Sequence, residues 1–491
     1  MTANASPSAA EPLQSPADID LGPRNRLVIA ILLISTFVVI LNETIMSVAL
    51  PRLMADLNVS AAAAQWLTTA FLLTMAVVIP VTGFLIQRMN TRPIFILAMS
   101  TFSFGTFCAA LAPGLELLVV ARVVQAIGTA IMLPLLMTTV MTLVPPASRG
   151  KVMGNISIVI SVAPAIGPTI SGIILNYLDW RWMFILVLPI ALATLFFGAR
   201  LIQNVTTPRY APLDVLSVIL SAIGFGGLVY GLSAIGEAHS EGGIPSWLPL
   251  AIGAVTLVVF IFRQLSLQRQ DKALLDLRTF HSRTFIICVT MMAIMMIALF
   301  GTIILLPIYT QNVLGLDTLQ TGLLLLPGGL IMGLLAPFVG RLYDRYGPAP
   351  LLIPGTIIVS AVLWALTLVS ERTPVTTVLI GHMIISLGLA LVFTPLFTAS
   401  LSAVPRHLYS HGSAILSTIQ QVAGAAGVAL FVALMTLQAG NLMASGVAEI
   451  PALAGGIRVG FLCGAIASVF AVIAAFMVKR PAEEVSLEPL H

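Results

Sequence analysis

Apolar residues run along this chain in blocks of 18 to 28 positions, broken at nearly regular intervals by short polar stretches. The blocks fall at about 27–50, 65–86, 93–112, 116–138, 152–175, 182–202, 214–235, 247–264, 285–309, 319–340, 351–370, 376–399, 410–437 and 455–478. At roughly 1.5 Å per residue, each can cross a hydrocarbon layer of about 30 Å as a helix. Lipid offers no partner to backbone N–H and C=O groups, so a spanning segment must satisfy them internally. The alternation expected of barrel strands is absent. The pattern predicts an all-α polytopic membrane protein with fourteen spans.

Composition agrees, with 58% apolar and 9% charged residues, where a domain solvated by water carries about 25% charged. The placement of the charges says more than their sum of +4. Eighteen of the 23 Lys and Arg lie in the termini and in alternate loops: Arg24, Arg26, Arg88, Arg92, Arg149, Lys151, Arg200, Arg209, Arg263, Arg269, Lys272, Arg278, Arg283, Arg341, Arg345, Arg406, Lys479 and Arg480. The opposite loops hold four, namely Arg52, Arg181, Arg372 and Arg458. This bias predicts that both termini are cytoplasmic, and it explains the basic balance without a nucleic-acid partner. The remaining cation, Arg122, lies inside a span. Residues 1–22, rich in Ala, Ser and Pro, read as a disordered cytoplasmic terminus. They do not read as a secretory signal, because the basic pair follows them and the first apolar run has no obvious cleavage site. Cys108, Cys288 and Cys463 all fall within spans and are odd in number, which favours packing over a disulfide framework.

The chain repeats itself. The second span runs into "GFLIQRMNTRP" (83–93) and the tenth into "GRLYDRYGPAP" (340–350). In both, a Gly closes the span, Arg88 or Arg345 follows five residues later, and a Pro lies ten residues after the Gly. Leu50-Pro51, expected to end the first span, recurs as Leu306-Pro307 at the end of the ninth. "ARVVQAIG" (121–128) aligns without gaps with "GHMIISLG" (381–388). The expected organisation is therefore a six-helix bundle over 23–202, two inserted helices with linkers over 203–284, a second six-helix bundle over 285–478 and a tail at 479–491. Parallel repeats of six spans imply a substrate path between two bundles that rock against each other.

Glu43 is the one acidic residue deep within a span, since Asp214 and Glu116 fall at span ends. Ionisable side chains in a membrane are costly and mark function by default. Glu43 lies about 24 Å along its helix from residue 27, and Arg122 about 9 Å below the opposite end of an antiparallel helix. The two are level, which predicts an ion pair that protonation of Glu43 would open; a static ion pair or a polar plug is the alternative. In the fifth span, Ala163, Gly167 and Ser171 are spaced by four, as are Pro164, Pro168 and Gly172, so a neighbouring backbone can approach closely. Pro168 removes the bond to the Pro164 carbonyl and should bend the helix. A gate and plain packing both fit. His382 takes the place of Arg122 in the second repeat, and an unperturbed His titrates near ~6.5. It is either a second titrating group or a neutral hydrogen-bonding one. Met291, Met292, Met295 and Met296 could line an adaptable cavity, although core or lipid contact is the commoner use. No Walker-type phosphate loop, metal-ligand set or nucleophile constellation is present, which argues against an enzyme or an ATP-driven pump.

Four motifs resemble those of the major facilitator superfamily, in its fourteen-span drug:proton antiporter branch, over about residues 25–480. "LNETIMSVALP" (41–51) is similar to the helix-1 signature, "GFLIQRMNTRP" to the loop signature of the whole superfamily, "ARVVQAIGTAIMLP" (121–134) to the helix-4 signature, and "APAIGPTISG" (163–172) to the helix-5 signature of antiporters. "WRWMF" (180–184) is also typical of the branch. The resemblance implies a major facilitator fold in the cell membrane, acting as a monomer with no cofactor. It implies proton-driven export of amphipathic organic compounds, so the expected partners are a small-molecule substrate, protons and the bilayer, with no nucleic acid. Proton coupling is assigned to Glu43, Arg122 and Gln125, with His382 as a candidate, and the substrate cavity to Asn42, Glu43 and Tyr309. Pro164, Gly167, Pro168 and Gly172 form the helix-5 motif. Gly83, Arg88, Arg92, Gly340, Asp344, Arg345 and Gly347 form the two loop motifs, read as latches between helices. A facilitator or importer of the same fold would not need the helix-5 pattern. The chain departs from the family pattern at Asn42, where Asp is usual, at Gln87, where an acid is usual, and at Asn90 and Ala126, where Gly is usual.

Overall fold

The computed structural model describes residues 22–204, 208, 213–235, 245 and 247–478. Residues 1–21 of the expected disordered terminus and the tail at 479–491 lie outside them. Fourteen membrane-length helices form the body: α1 (Pro23–Leu57), α2 (Ala61–Arg88), α3 (Thr91–Ala110), α4 (Leu115–Leu143), α5 (Arg149–Tyr177), α6 (Trp182–Leu201), α7 (Val215–Ile235), α8 (Trp247–Leu267), α9 (Arg283–Ile308), α10 (Thr318–Tyr346), α11 (Ala349–Leu366), α12 (Val375–Ser402), α13 (Tyr409–Ala444) and α14 (Glu449–Ala475). No strand occurs among the described residues.

The helices start where side chains can satisfy free N–H groups. Ser60 accepts from Ala63 N at 3.3 Å, and Ser282 caps α9 in the same way. Asp317 and Gln320 cap α10 reciprocally, at 2.7 and 3.1 Å. Leu306-Pro307 lies at the end of α9, which stops at Ile308, but Leu50-Pro51 does not end α1. α1 continues through Pro51 because the turns beyond it are stabilised by buried Leu53 and an Arg52–Asp56 pair at 3.5 Å. It stops at Asn58, whose left-handed φ of 53° closes the end. Beyond Pro307 the chain widens into a π-helical turn, Tyr309–Val313.

Two six-helix halves are built alike. α1 packs on α4, α5 and α6, α4 packs on α2 and α3, and α3 packs on α6. The same set recurs eight helices later: α9 on α12, α13 and α14, α12 on α10 and α11, and α11 on α14. The halves meet through α5 against α10 and α2 against α13, which are equivalent pairs under this pairing. α1 makes no comparably extensive contact with the other half. The Met cluster of α9 is buried in the core of the second half rather than lining a cavity.

The inserted α7 and α8 form a tight hairpin that packs on α2 and α13, across the line where the halves meet. A Cβ on Gly227 would come within 2.9 Å of the Pro249 carbonyl and 3.0 Å of Gly253 Cα, so the glycines set the close approach. At one end Arg263 grips Asp214 with two bonds of 2.7 Å. Those bonds, with help from Ser217, hold the Asp214 carboxyl down at about 2. A folded value below the unfolded one means that the pair stabilises fully above the usual carboxylate range and is lost as pH falls through about 2. Gln264 ties the hairpin to the α8–α9 linker, accepting from Leu274 N at 2.7 Å and Leu275 N at 3.2 Å.

Candidate functional site

Arg122 is among the largest fully buried side chains of the molecule, 1% exposed. Its Nη1 donates to Asn42 Oδ1 at 3.1 Å and to Gln125 Oε1 at 3.0 Å, and its Nε reaches the Leu67 carbonyl at 3.5 Å. The guanidinium carbon lies 4.0 Å from the centre of the Phe71 ring. Gln125 in turn donates to Thr106 Oγ1 at 2.9 Å. One cation thus joins α1, α2, α3 and α4, and every one of these partners is electrically neutral. The charge is held in place without being cancelled.

The ion pair expected between Glu43 and Arg122 is not formed. Successive residues on a helix are rotated by about 100°, so when Asn42 faces α4 its neighbour cannot. The half-buried Glu43 has no hydrogen-bond or ion-pair partner among the described residues, although the Arg122 charge still acts on it through space. Asn42 itself is 3% exposed and belongs to the Arg122 network, not to a cavity wall.

The helix-5 motif lies directly behind this site. Thr44 Oγ1 reaches the Ala163 carbonyl at 3.5 Å, and a methyl group on Gly167 would collide with Thr44. The opposite face of α5 meets α10 through Ala165 and Gly329, Val162 and Gly333, and Gly154 and Ala336. α5 is therefore a small-residue spacer between the Glu43 helix and the other half of the molecule. It runs as one helix through both prolines; Pro164 is half-buried, and the Pro168 side chain lies outside the described residues. A Cβ added at Gly172 would meet no neighbouring element within 4 Å. Gly167→Val is expected to push α1 from α5 and cost about 1–3 kcal/mol of stability through overpacking. Thermal unfolding in detergent measures this; an unchanged midpoint would show that α1 yields freely.

The two loop motifs sit at equivalent seams. Gly340 lets α10 approach the Gly150 carbonyl, and Gly83 lets α2 approach the Ser410 carbonyl. At the first seam Asp344 accepts from Gly150 N at 2.7 Å and Lys151 N at 2.8 Å, so a carboxylate caps the first turn of α5 from the other half. Its counterpart Gln87 instead donates to the His407 carbonyl at 2.9 Å. Gly347 ends α10 with a φ of 81°, while Asn90 is extended at −67°, so the first turn does not need glycine there. Arg88 and Arg345 lie over Phe84 and Tyr346, at 5.9 and 5.2 Å from the ring centres. The backbone N–H of Arg92 donates to Asn204 at 3.3 Å. Arg149 adds a brace that the sequence did not suggest: it donates to the Met141 and Val144 carbonyls at 3.1 and 3.3 Å and lies 5.5 Å from the Tyr409 ring centre.

Two further candidates lie apart from Glu43. Tyr309 is fully buried and donates to the Ser370 carbonyl at 2.6 Å, so it does not line a cavity here. His382 packs on α10, where Nε2 lies 3.1 Å from the Leu325 carbonyl and Nδ1 has no partner. A carbonyl partner requires the proton on Nε2, and a second proton on Nδ1 would be a buried donor with nothing to bond. His382→Gln is thus expected to change the rate of transport and leave its pH profile in place. A profile flattened between about pH 5.5 and 7.5 would assign titration to this residue. Thr44, Phe71 and Thr106 also went unnoticed in the sequence; only Thr44, beside Glu43, carried a positional hint.

Two repeated six-helix halves and two inserted helices, with a buried cation and, among the described residues, an unpaired carboxylate inside the first half, define a multi-pass carrier that serves small molecules rather than an enzyme. Comparison with known proteins agrees. The sequence profile of the Major Facilitator Superfamily matches residues 32–428. The uncharacterised MFS-type transporter YcnB of Bacillus subtilis is 39% identical over 472 residues, covering 96% of this chain and 99% of its own. The lincomycin resistance protein LmrB of the same organism is 40% identical over 456 residues, covering 91% and 95%. A multidrug resistance protein B homolog of Mycobacterium tuberculosis is 28% identical, covering 80% and 73%. Among solved structures, the human organic anion transporter MFSD10 superposes with a TM-score of 0.65 at 15% identity, covering 92% of this chain and 100% of its own. The proton:xylose symporter XylE does so at 0.64 and 16%, covering 94% and 97%. These two likenesses concern the fold alone. The chain belongs to the major facilitator superfamily.

Proposed function

We propose that this transporter is a proton-coupled antiporter that exports amphipathic organic compounds across the cell membrane, with both termini in the cytoplasm. The observation that carries the reading is Glu43: a half-buried carboxylate within a span, without a hydrogen-bond or ion-pair partner among the described residues, beside a guanidinium held by neutral groups. Such a group can accept and release a proton without first breaking a bond, which is what a carrier of protons needs. The Gly167–Thr44 contact supports antiport, because it sets the antiporter-type motif against the turn that bears Glu43. The basic loops support the orientation. Relatives named for lincomycin and multidrug resistance support export of such compounds.

The test is net flux in proteoliposomes with an imposed pH gradient, using lincomycin and a lipophilic cationic dye as probes. Antiport moves the probe against the proton flow and stops when the gradient is collapsed. Movement of the probe with the protons would instead make the chain an importer, and gradient-independent equilibration would make it a facilitator.

A further inference from the structure

We propose that a pocket between α2, α7 and α8 binds one acyl chain of a membrane phospholipid, at a site separate from Glu43. The cavity measures about 320 Å³ and is walled by Leu73 and Val77 of α2, Ala222, Ile223 and Gly226 of α7, and Ile252 of α8, with Tyr230 as its one polar side chain. It opens toward lipid. Ile223 and Ile252 are 45% and 48% exposed, and Ile223 continues a stripe from Val215 and Ile219, spaced by four along the outer face of α7.

Gly226 is the reason the space exists. The nearby glycines Gly224, Gly227 and Gly231 hold α8 at close range, whereas Gly226 looks toward α2. A Cβ there would meet Val77 at 3.4 Å and Leu73 at 3.5 Å, ordinary contact distances, so the position has room that no side chain uses. An open apolar groove of this kind does not hold water, which needs two to four polar partners. What surrounds it is hydrocarbon. At one end, Trp66 and Tyr230 stack with ring centres 6.1 Å apart. Both lie within about two turns of a helix end, the level where aromatic side chains meet headgroups. From Trp66 to Val77 the wall descends about 16 Å along α2, so a chain in the pocket would run inward with its headgroup beside the aromatic pair. Because α7 also packs on α13, that lipid would sit at the edge of the seam between the halves.

The test uses the full-length protein in proteoliposomes containing a phospholipid with a photoactivatable diazirine on its acyl chain, with adducts mapped by peptide mass spectrometry. Adducts are expected at Leu73 and Val77. They should be lost in Gly226→Leu, which fills the pocket, and kept in Gly226→Ala, which fits it. Ala222→Leu fills the same space from another position and serves if Gly226→Leu does not fold. Adducts at the exposed Phe262 and Leu437 report the general lipid shell and should not change. Absence of adducts at Leu73 and Val77, or their persistence in both filled variants, would overturn the site. Displacement of these adducts by excess transported dye would also overturn it, by assigning the pocket to the substrate.

Discussion

Glu43→Gln is expected to reduce gradient-driven transport to the level seen without a gradient, while thermal stability stays within about 0.5 kcal/mol of wild type. The two halves of this expectation have one cause. Glu43 has no bonding partner among the described residues, so a neutral side chain of the same size leaves no buried donor orphaned. What disappears is the carboxylate proposed to exchange a proton beside the Arg122 network. Arg122 and its neutral partners should remain as they are, because none of their bonds involves Glu43. Solute counterflow without a proton gradient is the informative control. If the variant keeps counterflow but loses gradient coupling, the carboxylate belongs to the proton. If full gradient-driven transport survives, Glu43 has no place in the mechanism.

Asp344→Asn should be more damaging than Gln87→Asn, although the two residues occupy equivalent loops. Asp344 places both carboxylate oxygens on backbone N–H groups at the start of α5, across the seam between the halves. Asn keeps one acceptor and turns an NH2 toward the other N–H. Hydrogen bonds to charged groups contribute about 1.5–3 kcal/mol, and the exposed Lys151 N–H argues for the lower end. A loss of about 2 kcal/mol corresponds to roughly a thirtyfold shift in the balance between closed and open seams. Gln87 makes one neutral bond to a carbonyl, and its loss costs about 1 kcal/mol, or roughly fivefold. Initial transport rates normalised to protein in proteoliposomes compare the two. Equal effects would mean that the seam does not depend on the carboxylate.

Much of the fold was legible because a bilayer turns linear quantities into topology. The length of an apolar block decides whether it spans. The side on which Lys and Arg accumulate gives an expected orientation, and the spacing of Gly83 and Gly340 within similar loops exposed the repeat. Glu43 and Arg122 stood out for the same reason, since charge within an apolar block is visible without coordinates. Helix ends were less legible. Leu50-Pro51 looked like a stop, but α1 runs on past it through buried Leu53 to Asn58, whereas Leu306-Pro307 does lie at the end of α9, with a π turn after Ile308.

The sequence by itself thus determined the number of spans, their twofold organisation and the few ionisable residues that lie within the spans. Only the tertiary structure decided which groups those residues meet. Depth along a helix follows from counting, and it set Glu43 level with Arg122. Azimuth follows from packing, and about 100° of rotation gave Arg122 to Asn42 instead. Packing also placed Thr44 on Gly167, the Asp344 carboxylate on α5 and the Tyr309 hydroxyl on the Ser370 carbonyl. Each of these contacts joins residues 60 or more positions apart, where no local pattern in the chain records which side chain will face which.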